Sequence, residues 1–558
     1  MPTWTTALPD WEQRLLKRQS IIPAPIYPDE ANRALDIFKQ LRVTDLPGKP
    51  TFGECSEQWV FDFVAAVFGA YDADTGKQLI REYGLLISKK NTKSTIAAGI
   101  MLTALIMCWR EEEEHLILAP TKEVADNSFK PAAAMIRADD ELSAMFHIQD
   151  HVRTITHRVM RSTLKVVAAD TDTVSGKKSG RILVDELWVF GKKANAEAMF
   201  MEALGGQVSR EEGWVIYLTT QSDEPPSGVF KERLNYWRDV RDGKIEDRKT
   251  LGILYEFPSA LVESKAYLNP ANFDITNPNL GRSVSAEWLE DQLKKTQHKT
   301  DGTLQQFLAK HLNIEIGLNL RSDRWIGAEF WQEQASETPI SLDWLLKNCD
   351  VIEVGIDGGG LDDLLGFCVM GRHSETAHWY AWHHAWAHPS VLQRRKQEAA
   401  RFHDFSRQGT LTLVDRVGTD INEVAMIVSQ IYESGLLDKI GVDPSGLGSI
   451  VEAIESTGVP NECIVGVSQG WRMTGAIKTT ERKLAEGVLF HDGSAMMNWC
   501  VSNAKVEPRG NAIIITKQAA GSAKIDPLMA MFNAVTLMSM NPESRGGFAD
   551  YLANPVIA

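Results

Sequence analysis

Five short runs carry residues able to do phosphate chemistry: LLISKKNTKST (85–95), RILVDELW (181–188), VIEVGIDGGG (351–360), KIGVDPSG (439–446) and AKIDPLMAM (523–531). A turn that cradles a phosphate needs backbone N–H groups curled around the anion, a lysine for its charge and a hydroxyl for Mg²⁺. Lys89, Lys90, Asn91, Thr92, Lys93, Ser94 and Thr95 offer such a turn between the strand LLI and the helix STIAAGIMLTALI, with Lys93 and Ser94 in the lysine and hydroxyl positions. The two usual glycines are replaced by Ile87 and Thr92, and a β-branched residue disfavours positive φ. Taken alone, KKNTKST would serve equally as a basic helix cap.

RILVDELW adds to that reading. A buried strand delivers Asp185 and Glu186 to the carboxyl end of a parallel sheet, where ligands bind in open α/β folds. An aspartate there can complete a Mg²⁺ shell and the next glutamate can activate water. The bland alternative is a strand that ends in two solvated acids. WVIYLTTQSD then brings Thr219, Thr220 and Gln221 to the same edge, where polar groups can sense a γ-phosphate and couple hydrolysis to movement.

The remaining runs hold Asp357, Asp443 and Asp526. Two of these acids end strands and the third opens the apolar helix PLMAMFNAVTLM. Ribonuclease-H-like nucleases use this layout, with the acids converging on two Mg²⁺ or Mn²⁺ ions. Hard oxygen ligands suit such ions, and a pair of them can stabilise the attacking and leaving oxygens of a phosphodiester. Any one of these aspartates alone reads as a turn or a helix cap. Asp362 and Asp363 follow the glycines after Asp357.

These side chains need two frameworks to position them. LLIS (85–88), HLILA (115–119), LKVVAA (164–169), RILVD (181–185) and WVIYLTT (214–220) alternate with helical stretches, which predicts a parallel sheet covered on both faces. CSEQWVFDFVAAVFG, from Cys55, has helical spacing. VIEVGID (351–357), LLGFCVM (364–370), AHWYAWHHAW (377–386), GTLTLVD (409–415) and KIGVD (439–443) open a second α/β block. The predicted organisation is a helical lead-in at 1–50, a P-loop domain at 51–325 with a helix-rich linker portion from about 225, a second domain at 340–545 and a tail at 546–558. The seam falls within 320–345.

At 558 residues the chain is too long for one ordinary core. Its 44% apolar and 24% charged composition is that of globular protein. GIMLTALIMCW, from Gly99, is about half the length needed to span a bilayer, so no membrane is expected. The amino terminus lacks a signal pattern and the six cysteines form no CxxC pair, which predicts a reduced cytoplasmic protein without a zinc site. A net charge of −15 argues against a bulk nucleic-acid binder but leaves room for a local basic strip on a motor that must release DNA each cycle. Glu111 to Glu114 reads as a solvated turn.

Taken together, the motifs resemble the large terminase subunit of tailed bacteriophages, and the resemblance runs over nearly the whole chain. KKNTKST resembles that family's Arg/Lys-Lys-Asn-Gly-Lys-Ser/Thr loop, with Thr92 in the glycine place, and Gln58 matches its adenine-side glutamine. VDE and TTQ match its Walker B and coupling motifs, and LILAPTKEVADNSF resembles the DNA-contacting strand–turn–helix of helicase-like ATPases. FLAKHLNIEIG, from Phe307, resembles the end of the ATPase portion. GIDGGGLDDLLGF implies that Asp363 also lies near the metals, and MNWCVSN and KIDPLMA match the tail of the nuclease.

The resemblance implies an amino-terminal P-loop ATPase of the helicase-like ASCE type, which uses ATP-Mg to move double-stranded DNA through a portal. It implies a carboxyl-terminal ribonuclease-H-like nuclease that cuts concatemers with two divalent cations. It further implies a portal protein and a small terminase subunit as partners, a pentameric ring on the procapsid, host cytoplasm as location, and an arginine finger, for which Arg210 and Lys89 are candidates. Two other classes are a helicase-like repair ATPase fused to a nuclease, which should carry further helicase motifs after residue 220, and a non-catalytic packaging scaffold. Intact Lys93, Asp185 and Glu186 argue against the scaffold.

Overall fold

The computed structural model describes residues 3–168, 179–193, 195–297, 303–316, 325–360, 363–395, 398–443, 448–509, 512–517 and 524–545. The tail at 546–558 and Asp362 therefore lie outside the described residues. The chain divides into two compact units, Met1–Ile316 and Gly317–Ala558.

Among its described residues, the first unit is built on an eight-stranded sheet. In chain order its strands are β1 (Glu82–Leu86), β2 (Glu114–Ala119), β3 (Phe146–Gln149), β4 (Thr154–His157), β5 (Thr163–Ala168), β6 (Ser179–Val184), β7 (Trp214–Thr219) and β8 (Thr250–Leu254). Their spatial order is β8-β1-β7-β6-β2-β5-β4-β3. The run from β8 to β5 is parallel, and β4 and β3 extend it antiparallel. Leu116, Leu118, Ile182, Val184 and Tyr217 are fully buried on these strands, as continuous apolar runs covered on both faces must be. Helices α1 (Gln58–Phe68), α2 (Lys93–Ile106), α3 (Lys122–Arg137) and α4 (Thr303–Leu312) supply the elements that matter for the site.

Three details depart from the sequence reading. The stretch read as helix-rich from about 225 contains β8, because TLGIL is apolar enough to be buried at every position beside β1. The helix expected from Cys55 is broken: a short turn at Phe52–Cys55 closes on a Thr51/Glu54 capping box, Ser56 is extended, and α1 begins at Gln58. The acidic run is only partly solvated, since Glu113 is 3% exposed and accepts hydrogen bonds from Gly180 N (2.7 Å) and Arg210 Nε (2.8 Å). A buried carboxylate needs such partners.

The second unit has its own sheet. Its strands are β9 (Cys349–Gly358), β10 (Leu365–His373), β11 (Trp379–Ala387), β12 (Leu411–Leu413), β13 (Leu437–Val442), β14 (Ile464–Gly466) and β15 (Leu489–His491). The order is β12-β11-β10-β9-β13-β14, with β15 also pairing β11. β9, β10 and β11 form an antiparallel meander, and β13 joins β9 in parallel. Helix α5 (Asp526–Met538) packs on β9 and β10; Leu528, Met531, Phe532 and Val535 are buried in the core of this unit. Its close approach depends on glycine. A Cβ on Gly355 would run into the Ala530 carbonyl, and one on Gly366 would lie 2.5 Å from the backbone of Asp526 and Pro527. The architecture is a largely parallel α/β unit followed by a mixed-sheet α/β unit, as the sequence predicts. No helix among the described residues is long and apolar enough to cross a membrane.

Candidate functional site

Two edges, one per unit, gather the residues singled out by the sequence. In the first unit, β1 ends at Leu86 and the chain turns through residues 87–92 into α2. Lys90 (φ 74°) and Thr92 (φ 57°) take the left-handed conformation, so the loop adopts at Thr92 the backbone shape usually left to glycine. Side chains hold it there. Asn91 is fully buried; its Nδ2 donates to Ser88 O (3.0 Å) and Asn277 Oδ1 (2.9 Å), and its Oδ1 accepts from Asn279 N (3.0 Å). Asn279 Nδ2 donates to Asn91 O and to Thr92 Oγ1 (both 3.1 Å), while Asn279 Oδ1 accepts from Trp59 Nε1 (2.8 Å). Lys89 N donates to Lys310 O (2.7 Å), and Ser283 Oγ to Lys90 O (2.7 Å).

Lys93 and Ser94 open α2, where helix N–H groups and the helix dipole favour an anion. From the end of β6, Asp185 and Glu186 meet them. Lys93 Nζ bonds Glu186 Oε1 at 2.5 Å, and Asp185 Oδ2 accepts from Ser94 Oγ and from Ser128 Oγ of α3 (both 3.2 Å). Glu186 has φ 55°, and its other oxygen accepts from the Trp188 indole. Burial pushes Asp185 up to about 6 against the pull of the Lys93 ammonium. Burial also raises Glu186, but the Lys93 charge and hydrogen bonds from Lys93 and Trp188 outweigh it and hold that carboxyl below its ordinary value.

Thr219, Thr220 and Gln221 are fully buried at the same edge. Thr219 Oγ1 accepts from Trp188 N (3.1 Å), and Gln221 N donates to Asn313 Oδ1 (3.3 Å). Among the described residues, neither polar atom of the Gln221 carboxamide has a partner. A buried amide in that state is costly until something bonds it.

Other predicted residues sit further out. Thr95 is half-buried in the first turn of α2, Lys89 is half-buried and Lys90 exposed. Gln58 is exposed and bonds Asp62 (2.8 Å); from that helix it is Trp59 that reaches the loop's support. Arg210 precedes β7, and so lies at the sheet edge opposite the loop, paired with Glu113. That placement sets it apart from Lys93 and Asp185.

In the second unit, Asp357 is buried near the end of β9, opposite Gly366 of β10. The parallel register pairs Ile356 with Val442, so Asp443, one residue on, comes beside Asp357. Asp526, 4% exposed, begins α5 where that helix rests on Gly366; a Cβ on Gly358 would lie 3.3 Å from the Asp526 Cβ. The fold thus brings all three aspartates to one edge. Gln469 Nε2 donates to Asp357 Oδ1 (3.3 Å) and Asn533 Oδ1 (3.2 Å), and Lys524 Nζ bonds Asp363. Among the described residues no three His, Cys, Asp or Glu side chains close into an ion-holding group. The donor chemistry at this edge is nonetheless carboxylate oxygen, which suits hard divalent ions.

Ser128, Asn277, Asn279, Trp188 and Lys310 in the first unit, and Gln469, Lys524 and Asn533 in the second, were not singled out by the sequence. Lys310 carried one readable signal, a lysine three residues after Phe307 on the apolar face of its helix.

Comparison with known proteins bears on both units. The family model described as terminase large subunit, ATPase domain, matches residues 58–239. The model described as terminase large subunit, endonuclease domain, matches residues 248–542, more than half of the chain. Its match begins inside the first compact unit. Protein YmfN of Escherichia coli (strain K12) is 22% identical over 368 residues, covering 61% of this chain and 74% of YmfN. The large terminase of bacteriophage HK97 is 20% identical with a TM-score of 0.47, covering 91% of this chain and 99% of that structure. The large terminase of a thermophilic bacteriophage, solved in complex with ADP, is 13% identical with a TM-score of 0.30, over 82% of this chain and 94% of that one.

Proposed function

Because the chain belongs to the terminase large subunit family, carrying its ATPase and endonuclease domains, we propose that it packages phage DNA by ATP-driven translocation at one edge and metal-dependent cutting at the other. The observation that supports this most directly is the meeting of Lys93, Ser94, Asp185 and Glu186 at the carboxyl edge of the first sheet.

Lys93 is bound to Glu186. An ATP γ-phosphate competes for that ammonium, frees Glu186, and leaves it to accept a proton from the attacking water. The water oxygen bonds to the γ-phosphorus as the β–γ bridge breaks and ADP departs. Ser94 and Asp185 would hold the magnesium, and the Gln221 carboxamide bonds the phosphate or its attacking water, which passes the nucleotide state to β7. Asn91 and Thr92 shape the loop, Lys89, Lys90 and Thr95 border the phosphates, and Gln58 turns from Asp62 toward the base. In the second unit Asp357, Asp443 and Asp526 would hold two Mg²⁺ or Mn²⁺ ions, with Asp363 nearby. When bound, metal would supply charge neutralisation for phosphate chemistry at both edges.

The partners on this reading are double-stranded DNA, the portal protein, a small terminase subunit and further copies of the chain in a pentameric ring, in the host cytoplasm. An arginine finger then comes from a neighbouring copy. DNA-stimulated ATP hydrolysis, measured with and without procapsids, tests the reading. Stimulation by both DNA and procapsids is expected; hydrolysis indifferent to both would overturn it. Glu186→Ala should bind ATP without turning it over, and normal turnover would show that another group positions the water.

A further inference from the structure

Lys310 stands in the last turn of α4 and is 4% exposed, an unusual place for an ammonium. Its Nζ donates to the Gln221 carbonyl (2.8 Å) and lies 3.0 Å from the centroid of the Trp188 ring. Asp223, which attracts it, is bonded to Lys192 (3.0 Å) instead. Burying a charge on a carbonyl and an aromatic face is expensive, so the fold keeps it there against a cost. The surroundings suggest why. Trp188 is the residue whose indole bonds Glu186, and the backbone of Lys310 accepts from Lys89 at the start of the phosphate loop. Gln221 lies just past the end of β7, and Asn313, three residues beyond Lys310, bonds the Gln221 N–H (3.3 Å). One turn of helix therefore touches the loop, the indole behind the glutamate and the segment that leaves β7.

We propose that Lys310 is a positioning residue of ATP hydrolysis: its ammonium pins the Trp188 ring that bonds Glu186 and ties that ring to the Gln221 carbonyl, so that the water-activating carboxylate and the segment after β7 move as one. The inference rests on the reading of Glu186 as the group that activates water. It assigns a role to a part of the chain, residues 303–313, that carries no phosphate-binding motif of its own.

The charge is also tunable. Burial, with Lys89 and Lys192, lowers the Lys310 ammonium to about 7, while Asp223 and Glu186 pull it upward. The protonated form makes both contacts, so turnover should fall as pH rises through the range where this ammonium is lost.

The test uses the full chain with DNA and compares Lys310→Met, Lys310→Arg, Trp188→Phe and Glu186→Ala. Lys310→Met should lower kcat about tenfold or more while KM for ATP stays within about threefold. Lys310→Arg should recover much of kcat, and its turnover should persist to higher pH, because a guanidinium keeps its proton. Trp188→Phe should lower kcat similarly, and the double variant with Lys310→Met should add little further loss, since both act on one contact. A folded Lys310→Met that keeps kcat and the wild-type pH profile would overturn the inference. So would Lys310→Arg failing as badly as Lys310→Met with KM raised in both, which marks a merely structural brace. Glu186→Ala separates the two levels: if it turns over normally the reading of the site fails, whereas if it is inactive and Lys310→Met is not, only the role of Lys310 falls.

Discussion

At the edge of the first sheet, side chains hold the backbone in an unfavourable shape; at the edge of the second, the lack of side chains lets a helix come close. Thr92 sits at φ 57°, a conformation that costs a β-branched residue on the order of 1–3 kcal/mol. Asn91, Asn277 and Asn279 surround it with hydrogen bonds, each contributing about 0.5–1.5 kcal/mol, so the shape persists without a glycine. In the second unit Gly355 and Gly366 make the seat on which α5 delivers Asp526 beside Asp357. The first device tolerates changes in the strained residue and is sensitive to its supports. The second is sensitive at the glycines themselves.

The largest effect that would sharpen this contrast belongs to Gly355→Ala. Its Cβ meets backbone, the Ala530 carbonyl, which cannot turn aside. Overpacking of about 1–3 kcal/mol should displace α5 and cut DNA cleavage by orders of magnitude while ATPase activity stays normal. Thermal unfolding and plasmid nicking check it; cleavage near wild type would break the glycine-seat argument. Asn277→Ala should have a middling effect. It leaves Asn91 Nδ2 and the His311 carbonyl short of partners, a cost of about 1–3 kcal/mol, and calorimetry should show ATP binding weakened about tenfold or more with cleavage unchanged. Thr92→Gly should have the smallest effect. It removes the Oγ1 contact with Asn279 but also the strain, so ATP binding should change by about 1 kcal/mol or less, in the direction of tighter binding. A large loss of ATPase activity in that variant would show that Thr92 itself contacts the nucleotide.

The contrast also explains what the sequence made legible. Acids at the ends of apolar runs could be read, because a strand's length and periodicity fix where its last residue emerges. Hence Asp185, Asp357 and Asp443 fall where expected, and Asp526 falls at its helix start. The strand–turn–helix around Lys93 was readable despite Thr92, because Lys93 and Ser94 keep their spacing between a strand and a helix. The supports were not readable. Asn277 reaches Asn91 across 186 residues and Lys310 reaches Gln221 across 89, and no local pattern encodes such a contact. Glu113 was hidden in a run of like residues whose burial depends on Arg210, 97 residues away. The break before α1 was different: Thr51 and Glu54 are a capping box that the sequence displays openly.

That the chain carries two separable engines is tested most directly by one paired measurement on the full-length protein: ATP hydrolysis and plasmid cleavage, side by side, in Lys93→Ala and Asp443→Asn. Lys93→Ala removes the cation that meets Glu186 and should abolish hydrolysis while cleavage persists. Asp443→Asn keeps the shape of the acid beside Asp357 but removes its charge, and should abolish cleavage while hydrolysis stays near wild type. Loss of both activities in either folded variant, or full cleavage in Asp443→Asn, would contradict the account.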